Sequence, residues 1–180
     1  MGVSFRGKLL SVTLLLGFLP ASAVAQQDKG DKEFGIDGAA TISNSTPVTG
    51  TVFAEVSFGK YLSLNNYIGL IAAPQFSFSG GNTSGGALFG GEYRYLFGSS
   101  KSNRVWPFIG AQADYDYLRS NGSSQNLGVV APEAGIKFYV SQKTAFEVSY
   151  LLEIQFGGGP YSGFGQRSSN FIVFGFKHIF

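Results

Sequence analysis

The stretch Thr144-Ala145-Phe146-Glu147-Val148-Ser149-Tyr150-Leu151-Leu152-Glu153-Ile154-Gln155-Phe156 alternates between two kinds of side chain. Every second residue from Phe146 to Phe156 is aromatic or aliphatic, whereas the residues between them include two glutamates, a serine and a glutamine. A period of two predicts a β-strand, because successive side chains of a strand point to opposite faces. The stretch is also longer than the roughly 9–11 residues that a tilted strand needs to cross a bilayer.

The same alternation recurs along the chain, interrupted by clusters of Gly, Ser and Asn that are typical of turns. It predicts eight strands: Lys32–Ile42, Thr51–Leu62, Asn66–Ser79, Ala87–Phe97, Val105–Leu118, Asn126–Val140, Thr144–Phe156 and Ser169–Phe180. No helical periodicity of any length competes with this pattern. The fold class that follows is all-β, an eight-stranded antiparallel up-and-down barrel.

The start of the chain has the pattern of a signal peptide. Arg6 and Lys8 precede the apolar run Leu9–Leu19, and Ala23-Val24-Ala25 supplies small residues at a cleavage site. The apolar run is well short of the roughly 20 residues of a membrane-spanning helix. We therefore expect a cleaved signal peptide at 1–25, a short N-terminal tail at 26–31 and a barrel at 32–180.

Composition excludes several functional classes. Charged residues make up 13% of the sequence, about half of their share in soluble domains. The formal net charge is +2; Arg6 and Lys8 account for it, so the mature chain is formally neutral and its charge indicates no nucleic-acid partner. Cysteine is absent, which excludes disulfides and thiolate sites. With no long apolar run after the signal peptide, a membrane-crossing mature chain has to be a closed barrel.

The two faces of the strands differ enough to predict which one meets lipid. An eight-stranded barrel is barely wide enough inside for its own side chains, so the many rings of the apolar face do not fit there. That face carries Phe58, Phe76, Phe78, Phe89, Phe97, Phe138, Phe146, Phe156, Phe174, Phe176 and Phe180. The opposite face is mostly Gly, Ala and Ser with scattered acids. We expect the apolar face to point at lipid and the barrel to be transmembrane.

Every acid in a predicted strand has inward parity, as do the bases Arg94, Lys137 and Lys177. A charge on the lipid side at mid-depth costs roughly 2–4 kcal/mol, and less for acids. The predicted lumen network is Asp37, Glu55, Glu92, Arg94, Gln112, Asp114, Asp116, Glu133, Lys137, Glu147, Glu153 and Lys177, with Glu33 on the same face. Most of the remaining bases are predicted in turns or loops, namely Lys60, Lys101, Arg104, Arg119, Lys143 and Arg167.

Three prolines, Pro74, Pro107 and Pro132, fall inside predicted strands. A closed barrel has no edge strand where a missing N–H donor is harmless. We expect a β-bulge at each proline, with a local shift of the inward and outward parity.

The strand pattern resembles the small outer-membrane β-barrel family, the OmpA- and OmpX-like group. The resemblance covers nearly the whole mature chain and includes the segment Ala134–Val140, which leads into Ser141-Gln142-Lys143. In that family the last strand ends in an aromatic residue, preceded by aromatic or apolar residues at every second position, which the insertion machinery reads. Phe174, Gly175, Phe176 and Phe180 match this signal, whereas His178 replaces the usual Tyr or Phe.

The resemblance implies a Gram-negative outer-membrane location, a periplasmic N-terminus, and barrel-insertion machinery, periplasmic chaperones, lipids and lipopolysaccharide as partners. Outer loops are then expected at 44–49, 80–86, 120–125 and 157–168, and periplasmic turns at 60–65, 98–104 and 141–143. The outer loops are short for this group, which leaves little surface for a large receptor site.

The sequence offers few candidates for chemistry. His178 is the only histidine; lipid-modifying barrel enzymes need a histidine near the outer leaflet, whereas this one belongs at the periplasmic rim. One histidine without cysteine predicts no metal and no cofactor site. A non-enzymatic structural or surface-interaction role is the first hypothesis. Because acids outnumber bases in the lumen, a narrow, weakly cation-preferring channel is the alternative, and a lipid-modifying enzyme is third.

Overall fold

The computed structural model describes residues 27–43, 49–79, 81–98, 103–120, 123–157 and 167–180. The predicted signal peptide and the first residue of the predicted tail lie outside these ranges. Within the described ranges, no helix has the length and apolarity of a membrane span.

Eight antiparallel strands form one closed barrel in which each strand pairs with its neighbours along the chain and the last pairs with the first. The strands are β1 Lys32–Ser43, β2 Thr49–Tyr61, β3 Asn66–Ser79, β4 Asn82–Leu96, β5 Val105–Ser120, β6 Ser123–Tyr139, β7 Thr144–Phe156 and β8 Arg167–Ile179. The predicted fold class is confirmed. We call the end at which β1 begins and β8 ends the terminal end; it also carries 62–65, 97–98, 103–104 and 140–143. The opposite end is the loop end.

Two of the predicted outer loops were wrong. Most of 80–86 belongs to β4, which pairs with β3 from Ser79↔Asn82 onward. Most of 120–125 belongs to β5 and β6, which pair from Ser120↔Ser123 onward. The polar residues in these two ranges lack the alternation of apolar side chains that marks the other strand residues. Hydrogen bonding between the backbones of paired strands does not require that alternation. Of the other two predicted loops, 44–48 and 158–166 lie outside the described residues.

The outer face of the barrel is mostly apolar, and the acids of the strands lie on the inner face. The predicted outward phenylalanines are exposed, apart from the half-buried Phe138. Leu70, at 71% exposure, is the most exposed of the large apolar residues. The expectation that Lys60, Arg119 and Arg167 lie in turns was wrong, because all three lie in strands. The side chains of Lys60 and Arg119 point outward near the two rims, where a long side chain reaches polar surroundings.

The expected bulges at the prolines were also wrong, because the register is the same on both sides of each one. Pro107 is opposite Ile136 and Pro132 opposite Ala111 within one continuous ladder. At Pro74 the β2–β3 pairing is interrupted, but it resumes in the same register. All three prolines point outward. A proline removes one donor without inserting a residue, so the inward and outward parity is kept.

The closing junction between β1 and β8, which we call the seam, is shorter than the others. Residues Glu33–Gly38 pair with Phe174–Ile179. Beyond these residues the two strands continue but are not paired with each other, over Ala39–Ser43 in β1 and Arg167–Val173 in β8. β1 nevertheless pairs with β2 along its full length. The barrel is thus continuous around its terminal half, and less tightly closed at one junction of its loop half.

Replacing a glycine of the barrel wall with alanine tests how tightly the interior is packed. A Cβ at Gly59 would overlap the backbone carbonyl oxygen of Ile68 and lie 2.5 Å from the Tyr67 hydroxyl, whereas one at Gly128 would meet nothing within 4 Å. We expect Gly59→Ala to lower the free energy of unfolding by about 1–3 kcal/mol, as overpacked sites do. Gly128→Ala is the matched control and should stay within about 0.5 kcal/mol of wild type. Urea titration of the micelle-folded barrel measures both, and equal midpoints would contradict the packing described here.

Candidate functional site

Three bases point into the barrel from alternate strands, Arg94 from β4, Lys137 from β6 and Lys177 from β8. Each is almost completely buried. A buried cation needs anionic partners, since its desolvation costs several kcal/mol. The interior supplies them from four strands, as Glu33 and Asp37 on β1, Glu92 on β4, Glu133 on β6 and Glu147 on β7. We call these eight residues the charged layer.

Arg94 lies among three carboxylates of the charged layer. Its guanidinium nitrogens are 2.8 Å from Glu92, 3.2 Å from Glu133 and 2.8 Å from Glu147. The Cζ atom of the guanidinium also lies over the ring of Phe108, at 5.2 Å from the ring centroid, a cation–π contact. Arg94 thereby links β4 to β5, β6 and β7 through the interior.

The two lysines hold the other side of the barrel. Lys137 Nζ donates to both carboxylate oxygens of Glu33, at 2.9 and 2.8 Å, and to the Tyr61 hydroxyl at 3.1 Å. Lys177 Nζ donates to Asp37 and, at 3.2 Å, to the Ser57 hydroxyl. Glu147 is shared, because Lys137 and Lys177 also approach it at 3.7 and 3.8 Å. All three bases therefore belong to one connected network.

The structure brings together only part of the predicted lumen network. Asp37, Glu92, Arg94, Glu133, Lys137, Glu147 and Lys177 meet in the charged layer. The other predicted members have inward parity as well, namely Glu55, Gln112, Asp114, Asp116 and Glu153. In the ladders Glu55 is opposite Asp37 and Gln112 is opposite Glu92, at the border of the charged layer. Among the described residues none of the four acids in this second group forms a salt bridge. Asp116 accepts a hydrogen bond of 2.5 Å from the side-chain amide of Gln75.

An apolar cluster closes the terminal end of the interior, and the sequence analysis did not predict it. We call it the terminal seal: Tyr61, Tyr67, Leu96, Trp106, Phe108, Tyr139, Ala145 and Ile179. Each of these side chains is at most 2% exposed. The rings of Tyr61 and Tyr67 lie 5.3 Å apart, and the Trp106 indole N–H donates to the Asn103 carbonyl at 2.8 Å.

The signal for the seal was present in the sequence. Trp106 and Phe108 have the parity of Gln112 and Asp114 on the same strand, and Tyr139 has the parity of Lys137. The expectation of a bulge at Pro107 obscured the first of these relations. The expectation of an interior made of small residues and acids was therefore wrong at this end, where aromatic rings fill the lumen.

The predicted N-terminal tail contributes to this closure. Gln27 is completely buried. Its amide nitrogen donates to the Leu64 carbonyl at 2.7 Å, and its amide oxygen accepts a hydrogen bond from the Tyr139 hydroxyl. The chain therefore crosses the terminal end next to the seal before β1 begins.

A second apolar layer lies on the loop side of the charged layer. It includes Ala39, Phe53, Ala131, Leu151, Phe171 and Val173, with Ile71, Ala73 and Leu88 as a neighbouring cluster. The rings of Phe53 and Phe171 meet edge to face with centroids 5.2 Å apart. Between these clusters, near Glu55 and Gln112, is a cavity of ≈ 10 Å³, the space of about one water. In the described part of the chain, buried apolar clusters therefore occupy the lumen on both sides of the charged layer.

The last strand places the predicted insertion signal on the outer face. Phe174, Phe176 and Phe180 are exposed there, and Gly175 points inward opposite Asp37. A Cβ at Gly175 would overlap the Asp37 carboxylate, so glycine leaves room for the Asp37–Lys177 ion pair.

His178 also points outward at the terminal rim, where its Nδ1 lies 3.1 Å from the Thr144 hydroxyl. No carboxylate forms an ion pair with it in the described part of the chain, and no cluster of potential metal ligands occurs there.

No protein-family model matches the sequence, and no curated protein matches it. Solved structures share the fold. The chain is similar to Neisserial surface protein A, NspA, with a TM-score of 0.68 and 14% identity over 86% of this chain and 100% of that one. It is also similar to the outer membrane protein OprG from Pseudomonas aeruginosa, with a TM-score of 0.55 and 10% identity over 87% and 99% of the two chains. Identities this low show a shared fold alone, and membership of the OmpA- and OmpX-like group stays a prediction.

Proposed function

We propose that this chain is a non-enzymatic integral protein of the Gram-negative outer membrane, with a non-conducting barrel and a structural or surface-interaction role. The observation that carries the proposal is the filled interior. The terminal seal excludes water at one end, and the charged layer behind it links β1, β4, β6, β7 and β8. With the lumen occupied in this way, interactions with other molecules fall to the outer face and to the loop end.

The location rests on the outer face and on the fold. An exposed apolar belt around the barrel suits lipid, and the structural neighbours include a protein described as an outer membrane protein. The predicted signal peptide at 1–25 would deliver the chain to the periplasm. Phe174, Gly175, Phe176 and Phe180 would present the terminal signal to the insertion machinery, with periplasmic chaperones as carriers and lipopolysaccharide as a neighbour in the membrane.

The membrane location is tested with the full chain lacking its signal peptide, folded in detergent and run on an SDS gel with and without boiling. We expect faster migration without boiling, because a closed barrel with paired strands resists SDS until it is heated. The folded protein should also insert into phosphatidylcholine vesicles and resist alkaline washing. A species that shows no heat shift and stays soluble without detergent would contradict the proposal.

The absence of conduction is tested in planar bilayers. We expect no steady unit conductance, because the Tyr61, Trp106 and Tyr139 side chains of the terminal seal leave no path for ions. The alternative channel predicts a steady, cation-selective conductance that falls when Asp114, Asp116 and Glu153 are replaced with asparagine and glutamine. Observing that conductance would contradict the filled, non-conducting interior on which the proposed function rests.

A further inference from the structure

Two lysines lie side by side on the outer face at the terminal end. Lys32 on β1 and Lys60 on β2 are directly opposite each other in the ladder, and both side chains are exposed. Like charges directly opposite each other across two strands are destabilising. Within the described residues neither lysine forms a salt bridge, not even with the terminal carboxylate of Phe180, whose backbone pairs with Lys32. The pair therefore has the charge to hold an anion.

A shallow groove begins at this lysine pair and crosses the outer face of the barrel. Its volume is ≈ 740 Å³, and apart from the lysines the outward side chains along it are apolar or aromatic. The floor consists of small residues, Gly91, Ala111 and Ala113, and larger side chains such as Leu70 and Tyr93 stand beside them. The groove is a recess of the wall itself, since it runs across neighbouring paired strands from β2 to β6.

The groove rises from the rim into the apolar belt. Lys60 is next to the terminal-end limit of β2, whereas Val130 at the other end of the groove lies in the middle of β6. Four strand spacings of about 4.8 Å give about 19 Å along the curved wall, half of the way around the barrel. An acyl chain reaches about 15 Å, half of the roughly 30 Å hydrocarbon core, and so covers only part of the groove. Positive charge at the rim beside an apolar recess matches the two parts of an anionic amphiphile.

We propose that this groove binds one anionic phospholipid of the inner leaflet, with the phosphate headgroup between Lys32 and Lys60 and one acyl chain along Gly91, Ala111 and Ala113. The inference rests on the proposed membrane location and deepens it by naming a lipid class and a site. Charge complementarity supports the occupant, because every acid of the described strands points into the barrel. Asp31, the acid next to Lys32 in the chain, accepts a hydrogen bond from the Asp28 backbone N–H at 2.8 Å.

The test uses native mass spectrometry of the barrel extracted from vesicles of phosphatidylcholine with one tenth phosphatidylglycerol. We expect wild type to retain one phosphatidylglycerol in preference to phosphatidylcholine. The double variant Lys32→Gln/Lys60→Gln should lower the apparent affinity for phosphatidylglycerol about ten-fold or more, since each lysine contributes to attraction at an anionic surface. Arg119→Gln, which removes an exposed base at the loop end, is the matched control and should retain the lipid.

The groove itself is tested with Ala113→Phe, which fills the floor without changing the charge and should also displace phosphatidylglycerol. Equal retention of the two lipids by wild type, an equal loss in Arg119→Gln, or full retention in Ala113→Phe would each overturn the site. If Ala113→Phe does not fold, the lysine variants still decide the result. The heat-shift gel and vesicle insertion are recorded for every variant. A wild-type barrel that inserts but shows no lipid preference would contradict the lipid site alone. A barrel that does not insert would contradict the proposed membrane location as well.

Discussion

Replacing Arg94 with methionine should lower the free energy of unfolding by about 3–5 kcal/mol, the usual cost of removing one partner from a buried ion network. Methionine keeps much of the length of the side chain and loses the charge. Glu92, Glu133 and Glu147 would then be buried without the guanidinium that lies 2.8 to 3.2 Å from them. Because these carboxylates come from three different strands, their repulsion would act directly on the closure of the barrel.

Urea titration followed by the fluorescence of Trp106 measures the effect of Arg94→Met, since this is the single tryptophan of the chain and lies in the terminal seal. Arg119→Met is the matched control. It makes the same chemical change on an exposed side chain at the loop end, and it should stay within about 0.5 kcal/mol of wild type. Similar midpoints for the two variants would mean that the charged layer does not stabilise the barrel.

Replacing Phe108 with alanine should have an effect of the same size, about 3–5 kcal/mol, as expected for a buried phenylalanine. Phe108 is 2% exposed, and its ring lies between the other side chains of the terminal seal and the Arg94 guanidinium. Its loss would open a cavity between an aromatic cluster and a charged one, and it would remove the cation–π contact as well. Trp106 is left in place as the reporter.

Phe89→Ala is the control for Phe108→Ala, because Phe89 is 57% exposed on the outer face. Detergent or lipid fills the space that its ring leaves, so the cost should be clearly smaller. The double variant Arg94→Met/Phe108→Ala should cost less than the sum of the single variants, since the two side chains are in contact. Equal costs at Phe89 and Phe108 would show that the terminal seal is not a packed layer.

The sequence predicted the strands and their faces because both depend on local alternation. Glu147 and Glu153 were predicted on the inner face of one strand, and the structure shows them on that face. The outward phenylalanines were predicted from the same period of two. The ends of the strands were less predictable. At Asn82 and Ser123 pairing continues through polar residues, because it depends on the neighbouring strand and not on hydropathy.

The candidate site was harder to predict, because its contacts depend on how the barrel closes. Asp37 and Lys177 are far apart in the sequence and meet only when β1 pairs with β8. The alternation does not distinguish Asp37, which forms an ion pair with a basic side chain, from Asp114, which forms none among the described residues. The interior rings at Trp106 and Phe108 share a parity with acids, and a period of two cannot assign aromatic and charged residues of one face to different depths.

We expect the short seam to be the last junction of the barrel to close. Glu33 and Ile179 pair although nearly all of β1 to β8 lies between them in the chain, so this junction has the largest loop-closure entropy of any in the described barrel. It offers fewer paired residues in return than the junctions between strands adjacent in sequence. Contacts of such separation form late in folding, after the local hairpins. The Asp37–Lys177 ion pair across the seam is accordingly among the last contacts to form and among the first to be lost when the barrel opens.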